Sequence, residues 1–206
     1  MKKLLMMFCF AATLSTVYAQ PDDKADKYEK RAKIAVGMDI AKLKSDDPDY
    51  SGIPGGQIGL EFSILNFSKS MGLGAAVIYS MQGGKFKSYE YIPGGNYSNS
   101  ATTVRLNYLN LPVLVHYEKD HHGFFAEAGL QPGILLSAKR KGSSTSDIKD
   151  NLKKLDVALI AGVGYKFKNK IGAGLRVAPG LMNINKNADQ TKTLNSVVGL
   201  SISYSL

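Results

Sequence analysis

The sequence predicts an all-β fold, an eight-stranded antiparallel up-and-down transmembrane β-barrel, on three observations. From Ala32 onward, apolar residues alternate with small or polar ones at a period of two, and no stripe of helix length interrupts them. The polar set consists mostly of Gly, Ser, Ala and Asn rather than Lys and Glu. The intervals between alternating segments are long and short in strict turn.

The segments cover residues 32–40, 55–65, 71–81, 103–118, 123–136, 155–167, 171–182 and 194–206. In the second, Ile58, Leu60, Phe62 and Ile64 oppose Gln57, Gly59, Glu61 and Ser63. In the sixth, Leu155, Val157, Leu159, Ala161, Val163, Tyr165 and Phe167 oppose Asp156, Gly162, Gly164 and Lys166. The eighth sets Leu194, Val198, Leu200, Ile202, Tyr204 and Leu206 against Asn195, Gly199, Ser201, Ser203 and Ser205. A soluble lipocalin-like carrier shows the same alternation with its apolar set turned inward, but its outer face is then rich in charge. Small polar residues suit a narrow, filled lumen instead, with the apolar set facing lipid.

Between the segments lie 14, 5, 21, 4, 18, 3 and 11 residues. Long extracellular loops and short periplasmic turns alternate in this way, and an even strand count keeps both termini periplasmic. Tyr117, Phe124, Tyr165, Phe167 and Tyr204 fall on the apolar face near the periplasmic strand ends, forming an aromatic girdle at the headgroup level.

Ahead of the barrel domain at 32–206, residues 1–19 have the layout of a secretory signal peptide. Lys2 and Lys3 precede the apolar run LLMMFCFAATLSTV, and Val17-Tyr18-Ala19 supplies small residues at the cleavage positions. Residues 20–31, QPDDKADKYEKR, read as a polar periplasmic lead-in. Cys9, the one cysteine, lies in the leader, so the exported chain is expected to use neither disulfides nor thiolate chemistry. Removing Lys2 and Lys3 leaves 24 Lys and Arg against 17 Asp and Glu, a net charge of +7. For an exported protein that balance points to acidic lipid or anionic glycan rather than nucleic acid.

The strand YLNLPVLVHY, residues 108–117, carries Pro112 in its middle. Proline has no N–H for a β-ladder, and a closed barrel has no free edge, so Pro112, Pro132 and Pro179 are expected to mark bulges. The alternation aims Glu61, Glu127 and Arg176 into the lumen. An unpaired buried charge is costly, so Arg176 is expected to pair with Glu127 or Glu61, with Gln131 and Tyr108 as hydrogen-bonding neighbours. Eight strands enclose a space that side chains can fill, so a plugged lumen is expected rather than a pore.

Catalytic signals are weak. His121 and His122 occupy the short turn KDHH, where solvated turn residues are the plainer reading than a metal site. His116 has lumen-facing parity, and no Ser, His and carboxylate spacing marks a nucleophile. Neither cofactor nor metal is expected. A barrel-type lipid-modifying enzyme remains the alternative to a structural or binding barrel.

Function then falls to the loops. Residues 82–102 mix Tyr, Asn, Ser and Gly, as adaptable recognition surfaces do. Residues 137–154 carry six Lys or Arg, among them Lys139, Arg140, Lys141, Lys153 and Lys154, against two Asp. This basic loop suits outer-membrane lipid, including lipopolysaccharide.

The series MQGGK (81–85), YLNLPVLVHY (108–117), GFFAEAGLQPGILLSAK (123–139), LDVALIAGVGYKF (155–167), GLRVAPGLMNI (174–184) and GLSISYSL (199–206) resembles the PorT-like family of outer-membrane β-barrel proteins. The Tyr-Leu-x-x-Pro-x-x-x-x-Tyr strand is its most specific element. The resemblance implies a place in a Gram-negative outer membrane, insertion by the barrel-assembly machinery, and envelope protein partners. The secretion role of the name-giving member is not carried over.

Overall fold

The computed structural model describes residues 32–45, 50–68, 70–92, 96–118, 123–142, 144–186 and 192–206. The leader, the lead-in, and the turn holding His121 and His122 lie outside the described residues.

Among the described residues, ten strands form one antiparallel sheet: β1 (Ala32–Ser45), β2 (Ile53–Asn66), β3 (Met71–Ile92), β4 (Asn96–Asn110), β5 (Val113–Glu118), β6 (Gly123–Lys141), β7 (Thr145–Asp147), β8 (Leu155–Lys166), β9 (Ile171–Pro179) and β10 (Thr193–Ser205). The sheet closes into a ring, with β1 paired to both β10 and β2 and β2 to β3. Because β4 and β5 are two halves of one wall strand and β7 pairs only with the upper part of β6, the wall has eight strands. Closure satisfies the backbone without a free edge, the condition for crossing lipid with strands.

The wall faces as the alternation requires. Met38, Phe124 and Leu200 point outward, with Met38 73% and Phe124 79% exposed. Glu61, Glu127 and Asp39 are buried inside. An apolar-in carrier is excluded by this arrangement.

Two expectations need correction. The prolines do not shift the register. On β3, Ile78 pairs with Asn110 above Pro112 and Ala75 with Val113 below it, as an unbroken ladder would have it. On β6, Asn110 meets Gly133 and Val113 meets Leu130, again in step. Each proline removes only its own N–H. Ala76 still donates to the Pro112 carbonyl (3.0 Å), and Leu111 to that of Pro132 (2.8 Å). Pro179 ends β9, and its pairing with Ser196 stays in step with the rest of β10. Register shifts lie instead in β6, between the pairs Asn107–Ser137 and Tyr108–Leu135, which leaves Leu136 as the extra residue, and in β2, between Ser63–Gly74 and Leu65–Leu73, which leaves Ile64.

The second correction concerns length. The stretch expected to be a loop at 82–102 is mostly hairpin, since β3 and β4 stay paired from Ile78–Asn110 to Ile92–Asn96. Residues 139–141 likewise belong to β6 and pair with both β4 and β7. The wall therefore rises well beyond an apolar band about 25 Å tall. Gly83, at φ 135°, sits where β3 leaves that band, and a Cβ there would strike the Val104 carbonyl.

Above the band the interior changes character. Leu43, Val104, Leu106, Tyr108, Leu135, Ala138, Ile148, Leu152 and Ile184 form one buried apolar cluster, with Tyr50 and Phe86 against it. Tyr50 and Phe86 meet edge to face at 5.1 Å. The short 3-10 turn Lys149–Asn151 places Ile148 and Leu152 over the barrel mouth, where Ile148 donates to the Ala138 carbonyl (3.0 Å).

Candidate functional site

The lumen is organised by a single row of cross-strand partners. Register pairs Gly72 with His116, His116 with Glu127, Glu127 with Gly162, Gly162 with Arg176, Arg176 with Gly199, Gly199 with Asp39, and Asp39 with Gly55. Along this path, four glycines are interspersed with His116, Glu127, Arg176 and Asp39, and only His116 and Glu127 are direct partners. Paired side chains in a sheet stand about 5 Å apart on the same face. A narrow barrel has no room for eight large ones, so glycine on four of the eight wall strands lets the others lie across it. At Gly162 a Cβ would stand 2.7 Å from Glu127 Oε1 and 3.0 Å from Arg176 Cγ.

Arg176 is the hub of this row. Its Nε and Nη2 donate to Glu127 Oε1 and to Glu61 Oε1, and Nη2 also reaches Glu127 Oε2 at 3.1 Å. Lys33 closes on the other oxygen of Glu61 at 2.6 Å. Two carboxylates thus face two cations, and the group is neutral. The Arg176 side chain is only 11% exposed, and that of Glu127 only 3%. Gln131 shares a small chamber with Arg176 and Asp39. Tyr108 does not join them: it is packed in the apolar cluster above, and its hydroxyl has no partner among the described residues. Lumen-facing parity had placed it on the correct face but not at the correct height.

Toward the end that carries Ala32 and Leu206, the lumen opens into a cavity of about 70 Å³, lined by Lys33, Glu61, His116, Glu118, Glu127 and Lys166 among others. Lys166 and Glu118 pair across its mouth at 3.0 Å. The volume suits a few waters. Among the described residues, no group of three or more His, Cys, Asp or Glu is arranged to hold a metal.

The girdle residues lie at this same end. Tyr117, Phe124, Tyr165, Phe167 and Tyr204 all point outward, and Phe124 meets Tyr165, and Tyr165 meets Phe167, edge to face at 5.1 Å. The basic residues lie at the opposite end. Lys139, Arg140 and Lys141 are strand residues, Arg140 on the inner side at the rim opposite Val104, whereas Lys153 and Lys154 belong to the connection leading into β8. Two lumen residues were not expected from the sequence, Lys33 and Asp39. Both share the parity of Ala35 and Gly37 on β1, which was the available signal.

A model of the outer membrane protein beta-barrel domain matches residues 18–186. The chain belongs to the outer membrane protein beta-barrel domain family. No curated protein matches the sequence. Among solved structures, Neisserial surface protein A is similar at 12% identity, over 86% of this chain and 100% of that one, with a TM-score of 0.54. The attachment invasion locus protein Ail of Yersinia pestis, solved with the heparin analogue sucrose octasulfate, is similar at 12% identity, over 86% and 99%, with a TM-score of 0.50. At such identities the likeness shows the fold, and family membership adds the outer membrane as its location.

Proposed function

We propose that this family member is a closed-lumen barrel, exported by its leader, that acts as a structural or binding protein through its outer surface and loop end. It neither passes solutes nor catalyses a reaction. The observation that carries this reading is Arg176, held between Glu61 and Glu127 across the lumen beneath an apolar plug. A charge pair satisfied on both sides has no spare valence for a substrate. The row of glycines and ionisable residues fixes it in place rather than exposing it.

In this reading the end bearing both termini and the aromatic girdle faces the periplasm, as barrels with short turns at that end do. The loop end then stands outside the cell, with outer-membrane lipid and envelope proteins as its partners. The resemblance to PorT-like barrels supports the same placement and adds insertion by the barrel-assembly machinery. Orientation is tested by introducing cysteine at exposed Ser144 in intact cells: the account expects labelling by an impermeant maleimide, and protection would reverse the topology. Function is tested by reconstituting the purified protein in vesicles and following swelling in small sugars, together with acyl chains released from outer-membrane lipid. Neither swelling nor release is expected. Swelling would refute the closed lumen, and acyl release abolished by His116→Ala would establish the enzyme alternative.

A further inference from the structure

Where the wall leaves the apolar band, its outer face turns basic: Lys42 and Lys44 are exposed on β1, and a denser group lies on β3, β4 and β6. Lys85 and Lys87 on β3, Arg105 on β4, and Lys139 and Lys141 on β6 are all exposed. Register places them together: Lys85 is paired with Thr103, Thr103 with Lys141, and Arg105 with Lys139. These positions lie on three adjacent strands about 4.8 Å apart, with successive outward residues about 7 Å apart along each strand. The patch is therefore about the width of one lipid headgroup cluster.

Two features mark the patch as more than solvated surface. Arg105 and Lys139 stand directly opposite each other, and like charges in that relation destabilise a sheet. None of the five cations forms an ion pair among the described residues. The nearby acid is Asp147, the register partner of Lys139 on β7, and its carboxylate accepts from the Lys149 backbone N–H at 2.9 Å. No acid occurs in 81–87, 101–107 or 134–141. Immediately below, the same strands turn Tyr79, Met81, Leu130 and Leu136 to the lipid. The opposite wall differs: Leu155 on β8, and Leu181 and Met182 just past β9, are exposed at the loop end.

We infer that this patch is a binding site for the phosphate groups of a phosphorylated outer-leaflet glycolipid, with its acyl chains lying against the apolar wall beneath. The inference deepens the proposed function and rests on its placement of the loop end in the outer leaflet. An amphiphile fits both halves of the surface at once: clustered phosphates neutralise the Arg105–Lys139 repulsion, and the chains cover Met81 and Leu136. The outer membrane supplies such a molecule at this height, as bisphosphorylated lipid A.

The test uses the full chain folded in neutral detergent, with each variant first checked for its heat-shifted gel band. Lipid A retained on the protein is counted by native mass spectrometry across a titration. The wild type should retain bisphosphorylated lipid A in preference to phosphatidylcholine, and less of it in high salt, because exposed charges are screened. Arg105→Gln with Lys139→Gln and Lys141→Gln should weaken retention roughly tenfold or more, given that each basic residue near an anionic surface contributes about a factor of five. Lys153→Gln with Lys154→Gln should leave it within about twofold, since both lie outside the patch. If the triple variant does not fold, Lys85→Gln with Lys87→Gln serves in its place and should also weaken retention. Equal retention of lipid A stripped of its phosphates, equal retention by a folded patch variant, or full displacement by inorganic phosphate alone would overturn the proposal. Vesicle swelling measured on the same preparation reports on the closed lumen separately, so either reading can fail without the other.

Discussion

The two halves of this barrel solve the same packing problem with opposite chemistry. In the half that carries the termini, the outside is apolar and the inside holds Lys33, Glu61, Glu127 and Arg176. In the loop half, the outside bears Lys85, Arg105 and Lys139, and the inside is the cluster of Leu43, Val104, Leu106, Tyr108 and Leu135. A single strand makes both arrangements. Along β6, Phe124 and Leu130 face lipid over Glu127, and past the bulge at Leu136 the strand puts Lys139 outside and Ala138 inside. The lesson is that strand parity fixes which side a residue faces, while the surrounding solvent decides what that side must be. In lipid an exposed charge is costly, so polar groups go inward and must pair there; in water the usual apolar core returns.

The largest expected effect tests the inner charge cluster. Arg176→Ala strands the buried Glu127 and leaves Glu61 with Lys33 alone, and should cost about 3–5 kcal/mol, read as a lower midpoint of the heat-shifted band or in urea. The apolar half should respond differently. Leu106→Ala opens a cavity beside Tyr108 and Leu135 and should cost about 2–5 kcal/mol. Hydrogen exchange sharpens the comparison, because loss should concentrate in β4 and the upper part of β6 for Leu106→Ala, and spread through β6, β8 and β9 for Arg176→Ala. Equal spreading in both variants would mean that the halves do not behave as separate packing units.

At the junction, Gly83→Ala forces a side chain into a left-handed backbone against the Val104 carbonyl and should cost about 1–3 kcal/mol. The smallest effect belongs to Lys33→Ala. Its side chain is 33% exposed, Arg176 still holds Glu61, and the loss should stay under about 1 kcal/mol.

The lower half was legible in the sequence because lipid imposes a strict alternation, with Ile58 and Leu60 against Glu61, or Val163 and Tyr165 against Gly162 and Gly164. The same alternation brought Glu61, Glu127 and Arg176 to one face. The upper half was harder to read. Gly83-Gly84, the Ser, Asn and Thr residues of 98–103 and the KRK run look like turn chemistry, yet in β3, β4 and β6 they are held by cross-strand pairing that one segment alone does not reveal. Proline misled for a related reason: a closed ring can lose one N–H at Pro112 and one at Pro132 while its neighbours hold the register. Height within the lumen was also hidden, which is why Tyr108 was matched to Arg176 when it packs above.

The inversion itself is open to one direct measurement. Nitroxide labels placed in turn at the outward positions Ala126, Leu130, Ile134, Lys139 and Lys141 of β6, in protein reconstituted in bilayers, report collision with oxygen, which is enriched in lipid, and with a water-soluble nickel chelate. The account predicts oxygen-dominated signals at 126, 130 and 134 and chelate-dominated signals at 139 and 141, with the crossover at the Leu136 bulge. Chelate access along the whole row, or lipid-like signals through Lys141, would contradict it.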